Sequence, residues 1–136
     1  MGPAPEPPRR CCRSFRVELP DGRAYWTVVD EAYVKVDFAD RFLFDLRFGR
    51  DRAESTTRAY AGELASFLSW CGRSGRSLED GAAHLSSFVL FLRTTPTARP
   101  GSGQGRAPGA GRVNHVLAVV REFFKHAAAA GSVKAE

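Results

Sequence analysis

A chain of 136 residues has room for one domain with a sizeable core and little more. Its 43% hydrophobic and 11% aromatic content is that of a globular protein, and no apolar run approaches the roughly 18 residues that a membrane span requires. The net charge of +5 is unevenly spread: residues 1–49 hold eight Lys or Arg against eight Asp or Glu, whereas residues 50–136 hold twelve against seven. Between Gly81 and Arg121 there is no carboxylate, but Arg93, Arg99, Arg106, Arg112 and Arg121 fall there, which suits a polyanionic partner. The three cysteines form neither a disulfide framework nor a zinc pattern. No apolar segment follows the Pro- and Arg-containing start, so neither a secretory signal nor an anchor is expected, and the expected location is cytoplasmic.

In chain order, residues 1–14 read as a flexible tail holding Cys11 and Cys12. Residues 15–36 read as a β-hairpin extension: Phe15, Val17 and Leu19 alternate with Arg16 and Glu18, Pro20-Asp21-Gly22-Arg23 has turn chemistry, and Ala24 to Val29 is rich in β-formers. Such a hairpin is marginal alone, so one of its faces must pack on the helices or on another domain. Residues 37–136 read as a helical domain. Asp37 can cap a first helix with Phe38, Phe42, Leu43 and Leu46 at helical spacing and Gly49 as its stop. A second helix is expected after a Ser55 cap, with Tyr60, Leu64, Phe67, Leu68 and Cys71 buried and with Arg58 and Glu63 on the opposite face, until Gly72 and Gly75 end it. A third is expected from about Asp80 to Arg93, burying Leu85, Phe88, Val89 and Leu92. The Pro- and Gly-rich segment 94–111 reads as a flexible basic loop. A last helix is expected from Arg112 to Ala130, with Val113, Val116, Leu117, Val120, Phe123, Phe124 and Ala127 inside and Gly131 as its C-cap. The expected fold class is all-α, a four-helix bundle preceded by a short hairpin.

No phosphate loop is present, and His84, His115 and His126 have no second ligand or nucleophile at a revealing spacing. The chain therefore reads as a binding module with no active site, no metal and no cofactor. Two helix starts combine small or hydroxylated residues with an Arg, as phosphate contact requires: Ser55-Thr56-Thr57-Arg58 and Gly109-Ala110-Gly111-Arg112. Beyond the second, Asn114, His115 and Arg121 alternate with apolar residues on a helix able to enter a major groove, or on an ordinary solvated face.

The stretch from Ser55 to Trp70, a Ser/Thr-rich start followed by Tyr60, Leu64 and Phe67, resembles the opening helix of the core-binding (SAM-like) domain of tyrosine recombinases and phage integrases. The stretch Arg112-Val113-Asn114-His115 through Arg121, Phe123, Phe124 and His126 resembles the last helix of that domain. With the Leu85 to Leu92 helix between them, the resemblance covers roughly Asp37 to Val133. It departs from the family in its longer Gly-rich loop and in Arg112, which stands where a small hydroxylated residue is usual. In that family the domain forms half of a clamp around DNA, and a larger C-terminal domain supplies the catalytic Arg-rich set and the tyrosine nucleophile. The resemblance implies double-stranded DNA as partner, with a recombinase catalytic domain or other protomers beside it. It implies that Thr56, Thr57, Arg58, Arg106, Arg112, Asn114, His115, Arg121 and Lys125 face the duplex. The only tyrosines, Tyr25, Tyr33 and Tyr60, lie upstream of or within the binding module, so the chain is expected to lack the cutting activity. The rival reading is a helical interaction module for an acidic protein. An independent helix-turn-helix regulator is disfavoured by the long loop, and a complete small enzyme by the missing chemistry.

Overall fold

The computed structural model describes residues 11–94 and 110–129. Strands β1 (Arg13–Glu18) and β2 (Ala24–Val29) form an antiparallel hairpin in which Arg13 lies opposite Val29 and Glu18 opposite Ala24. Its turn follows the residues expected for it: Gly22 takes a positive φ of 89°, and the Asp21 carboxylate accepts the Arg23 amide at 3.0 Å. The helices are α1 (Asp37–Phe44), which runs on into a π-helical turn at Asp45–Gly49, α2 (Glu54–Arg73), α3 (Leu78–Ala83), α4 (Leu85–Thr94) and α5 (Ala110–Ala129). The described part is thus mostly helical with an N-terminal two-stranded hairpin. The segment 95–109, with most of the expected loop, and the expected cap at Gly131 lie outside the described residues.

The hairpin is an integral part of the core. On one face of β2, the Tyr25 and Thr27 hydroxyls donate to Asp40 of α1 at 2.6 and 2.8 Å. On the other, the Trp26 indole donates to Glu54 of α2 at 3.2 Å, and at the β2 edge the Trp26 amide donates to Thr57 Oγ1 at 3.0 Å. With α1 and α2 on opposite sides, β2 is buried along nearly its whole length, and Tyr25 and Val28 join the same apolar cluster as Phe42, Leu64, Phe67, Phe88 and Phe123. Edge-to-face aromatic pairs run through that cluster, with Phe67 and Phe88 centroids 5.2 Å apart and Phe42 and Phe123 5.8 Å apart.

Several local expectations need correction. Asp37 is the first residue of α1, preceded by Val36 with no side-chain cap; it pairs instead with Arg41 one turn on at 3.1 Å. Helix α2 begins at Glu54 after Ala53, so Ser55 lies inside the helix and does not cap it. The single third helix expected is two, because Ser77 starts a turn earlier by accepting the Asp80 amide and the backbone leaves helical geometry at His84 (φ −118°, ψ 40°). That gives five α-helices among the described residues rather than four. Cys12, placed in the tail, is buried: its amide donates to Ser69 Oγ at 2.9 Å, and Ser69 Oγ returns a bond to the Cys12 carbonyl. Residues 1–10 of the expected tail lie outside the described residues.

Candidate nucleic-acid interface

Helix α5 buries Val113, Val116, Val120, Phe123 and Ala127 and so must turn a stripe to solvent. That stripe is Asn114, Ala118, Arg121 and Lys125, at i, i+4, i+7 and i+11, and each of the four is exposed. It carries two cations and no carboxylate. Among the described residues neither Arg121 nor Lys125 has an ion pair or hydrogen bond. Ala118, between the polar residues, is an exposed small residue at mid-stripe.

One turn round the same helix the picture inverts. Arg112 Nη2 donates to Glu63 Oε1 at 3.1 Å, and His115 Nδ1 stands 3.4 Å from Glu63 Oε2. Glu63 belongs to α2, and its side chain is only 12% exposed, which makes it a carboxylate held in the seam between the helices. A second bridge follows along this seam: the Tyr60 hydroxyl donates to Glu122 Oε2 at 2.8 Å, and Arg50 donates to Glu122 Oε1 at 3.2 Å. Burial, reinforced by the Glu122 hydrogen bond, raises the Tyr60 pKa and keeps it a donor. The Tyr60 and His115 rings meet edge-on at 5.9 Å. Arg112 is therefore committed to a protein carboxylate, and His115 stands beside the same carboxylate with its ring still exposed. For Arg112 this corrects the expectation of a ligand-facing side chain: the Glu63 carboxylate needs a partner where solvent reaches it poorly.

The start of α2 is likewise turned inward. Thr57 is fully buried; its hydroxyl donates to the Glu54 carbonyl at 2.7 Å and accepts the Trp26 amide, so it has no role toward a ligand. The amides of Thr56 and Thr57 donate to the Ala53 carbonyl, which removes them from the set of unpaired helix-start donors. Thr56 is half-buried, whereas Arg58 is exposed with its guanidinium 5.2 Å from the centre of the Trp26 ring. Arg106 lies outside the described residues. Of the expected set, Asn114, Arg121 and Lys125 share one stripe, and Arg58 stands apart beside the hairpin.

Sequence reasoning missed Glu122 and misplaced Glu63, which was expected on the outer face of the second helix with Arg58 and is buried instead. A signal existed for Glu63: it lies three residues after Tyr60 and four before Phe67, both directed inward, so helical spacing places it against the core. Among the described residues no three of His, Cys, Asp and Glu gather closely enough to hold a metal ion, and no helix is long and apolar enough to cross a membrane. No family model, curated protein or solved structure matches the chain.

Proposed function

We propose that this chain is a DNA-binding module, specifically the core-binding (SAM-like) helical bundle of a tyrosine recombinase or integrase. The observation that carries the reading is the outer stripe of α5, where Asn114, Arg121 and Lys125 flank Ala118 with no carboxylate among them. A helix with a small residue at its centre can lie close against the floor of a major groove. Arg and Asn there can make paired hydrogen bonds to guanine and adenine edges, and Lys serves as a point charge for a phosphate. Arg58, oriented by its contact with Trp26, adds a cation from α2. Arg112 and His115 serve indirectly, locking α5 onto α2 through Glu63 and so fixing the angle at which the outer stripe is presented. In this reading the residues of this module bind and orient DNA for a catalytic domain that does the cutting.

Fluorescence anisotropy of a labelled duplex across a salt series tests the proposal. Binding in the non-specific range, a Kd on the order of 10⁻⁴ to 10⁻⁶ M at physiological salt, with log K falling linearly in log salt, is expected. No binding at low salt, or affinity indifferent to salt, would overturn it.

A further inference from the structure

Among the described residues five large hydrophobic side chains are exposed, and three of them, Phe15, Tyr33 and Val34, belong to the hairpin and the turn that follows it. Tyr33 is 61% and Phe15 45% exposed, and their rings meet edge-on with centroids 6.3 Å apart.

The strand pairing explains why these residues share a face. Arg13 lies opposite Val29, and Val29 is bridged on its other side to Lys35, so Arg13 and Lys35 flank Val29 in one row across the sheet. Phe15, two residues along β1 from Arg13, points to the same side. Helix α1 covers β2 on this face through Asp40 and leaves β1 open: Val29 is buried, whereas Arg13 and Phe15 are exposed.

Tyr33 holds its place against the preference of its backbone. Its φ of 60° lies in the left-handed region, where a bulky side chain is an outlier and glycine or asparagine sits without strain. The turn is fixed by Asp30, whose carboxylate accepts the Ala32 and Val34 amides at 2.9 and 3.0 Å and whose carbonyl accepts the Tyr33 amide at 3.0 Å. From there the Tyr33 side chain reaches back to β1. Arg13 Nη1 donates to its hydroxyl at 3.1 Å, and the guanidinium carbon stands 5.0 Å from the ring centre. That partner is neutral, and among the described residues neither Arg13 nor Lys35 has an ion pair. Of the acids nearby, Asp30 is bonded to backbone amides, Asp40 to the Tyr25 and Thr27 hydroxyls and Asp37 to Arg41, while Glu31 is exposed in the turn.

We infer that this surface takes an unpaired stretch of a nucleic-acid strand, with a base against the Tyr33 and Phe15 rings and the flanking phosphates on Arg13 and Lys35. Any base can stack on an aromatic ring, but a base inside a duplex has no free face, so the platform selects a single strand. The two cations stand two strand spacings apart, roughly 10 Å, one on each side of the rings. A purely apolar peptide would cover the rings and leave both cations unmatched, whereas a strand supplies rings and charges together. The inference rests on the nucleic-acid reading above for its class of ligand and adds a second surface to it. The outer stripe of α5 serves the duplex, and this one serves a strand that has left it.

The probe is a fluorescein-labelled oligothymidylate of a dozen nucleotides, titrated by anisotropy at low salt beside a labelled duplex, with the ¹⁵N-labelled protein used to locate the contact. Amide shifts at Phe15, Tyr33 and Lys35 are expected with the oligothymidylate. Tyr33→Gly removes the ring and relieves the turn, so it should keep the wild-type Tm within a few degrees, weaken the oligothymidylate at least about fivefold and leave duplex affinity unchanged. Phe15→Thr, which suits an exposed strand position, should weaken it in the same direction. Lys35→Gln should reduce the salt slope for the single strand by about 0.7. Leu90→Ala, at the exposed hydrophobic of α4, should change neither affinity.

Duplex binding without oligothymidylate binding, or oligothymidylate binding that survives both Tyr33→Gly and Phe15→Thr, would overturn the inference and leave the reading of α5 standing. Binding of the oligothymidylate through Tyr33, with no binding of duplex, would uphold the inference and overturn that reading instead. Polyglutamate competing as well as unlabelled oligothymidylate would reduce the surface to charge alone and would also overturn the inference.

Discussion

Helix α5 carries two sets of basic residues that are alike in sequence and opposite in circumstance. Arg112 closes on Glu63 in the seam with α2, with the exposed His115 beside it; Arg121 and Lys125 face solvent and meet no described partner. The difference lies in what each residue sits over. A carboxylate only 12% exposed requires a cation within hydrogen-bond reach, whereas a charge in water requires nothing from the protein and stays available to a ligand. Positive charge near a helix start is therefore a poor guide to ligand contact until the buried carboxylates have been assigned.

The largest expected effect comes from breaking the inner set. Glu63→Ala removes the acceptor of Arg112 and should lower stability by about 2–3 kcal/mol in urea unfolding, since Arg112 is only partly exposed and loses a charged hydrogen bond. A loss under 0.5 kcal/mol would mean that the seam is not the anchor described. Next is Thr57→Val, which strands the Trp26 amide at the junction of hairpin and α2; a cost of about 1–2 kcal/mol is expected, with duplex affinity unchanged once the variant is fully folded. Gly81→Ala probes packing away from both sets. An added Cβ would lie 2.5 Å from Cys71 Sγ, and a cost of about 1–2 kcal/mol is expected, again without effect on DNA binding. Smallest for stability is Ala118→Glu on the outer stripe, within about 0.5 kcal/mol of wild type by thermal melting, and yet it should weaken duplex binding several-fold by setting an acid between Asn114 and Arg121.

Much of the fold was legible in the residues. The Pro20 to Arg23 turn, the Gly49 stop and the apolar stripe of α5 follow directly from turn chemistry and helical spacing, and the structure has them in place. The break at His84 was not legible, because Leu85, Phe88 and Leu92 continue an unbroken helical stripe and only the Ser77 cap fixes where the preceding helix begins. Burial of Cys12 was hidden for a different reason: its partner Ser69 is 57 residues away, and local pattern carries no trace of such a contact. The candidate interface divided in the same way. Spacing placed Asn114, His115 and Arg121 outward, and each is exposed, whereas the inward turn of Thr57 and Arg112 depends on Trp26 and Glu63, which reach them only in the folded chain.

The measurement that bears most directly on this division is the salt dependence of duplex binding in two variants beside the wild type. Each phosphate contact contributes about 0.9 to the slope of log K against log salt, so Arg121→Ala/Lys125→Ala should reduce its magnitude by roughly 1.8 if both contact phosphate. Arg112→Ala, measured where the variant remains folded, should leave the slope as it is. A slope unchanged by the double substitution, or reduced by Arg112→Ala alone, would contradict the assignment of the outer stripe of α5 as the DNA-binding surface.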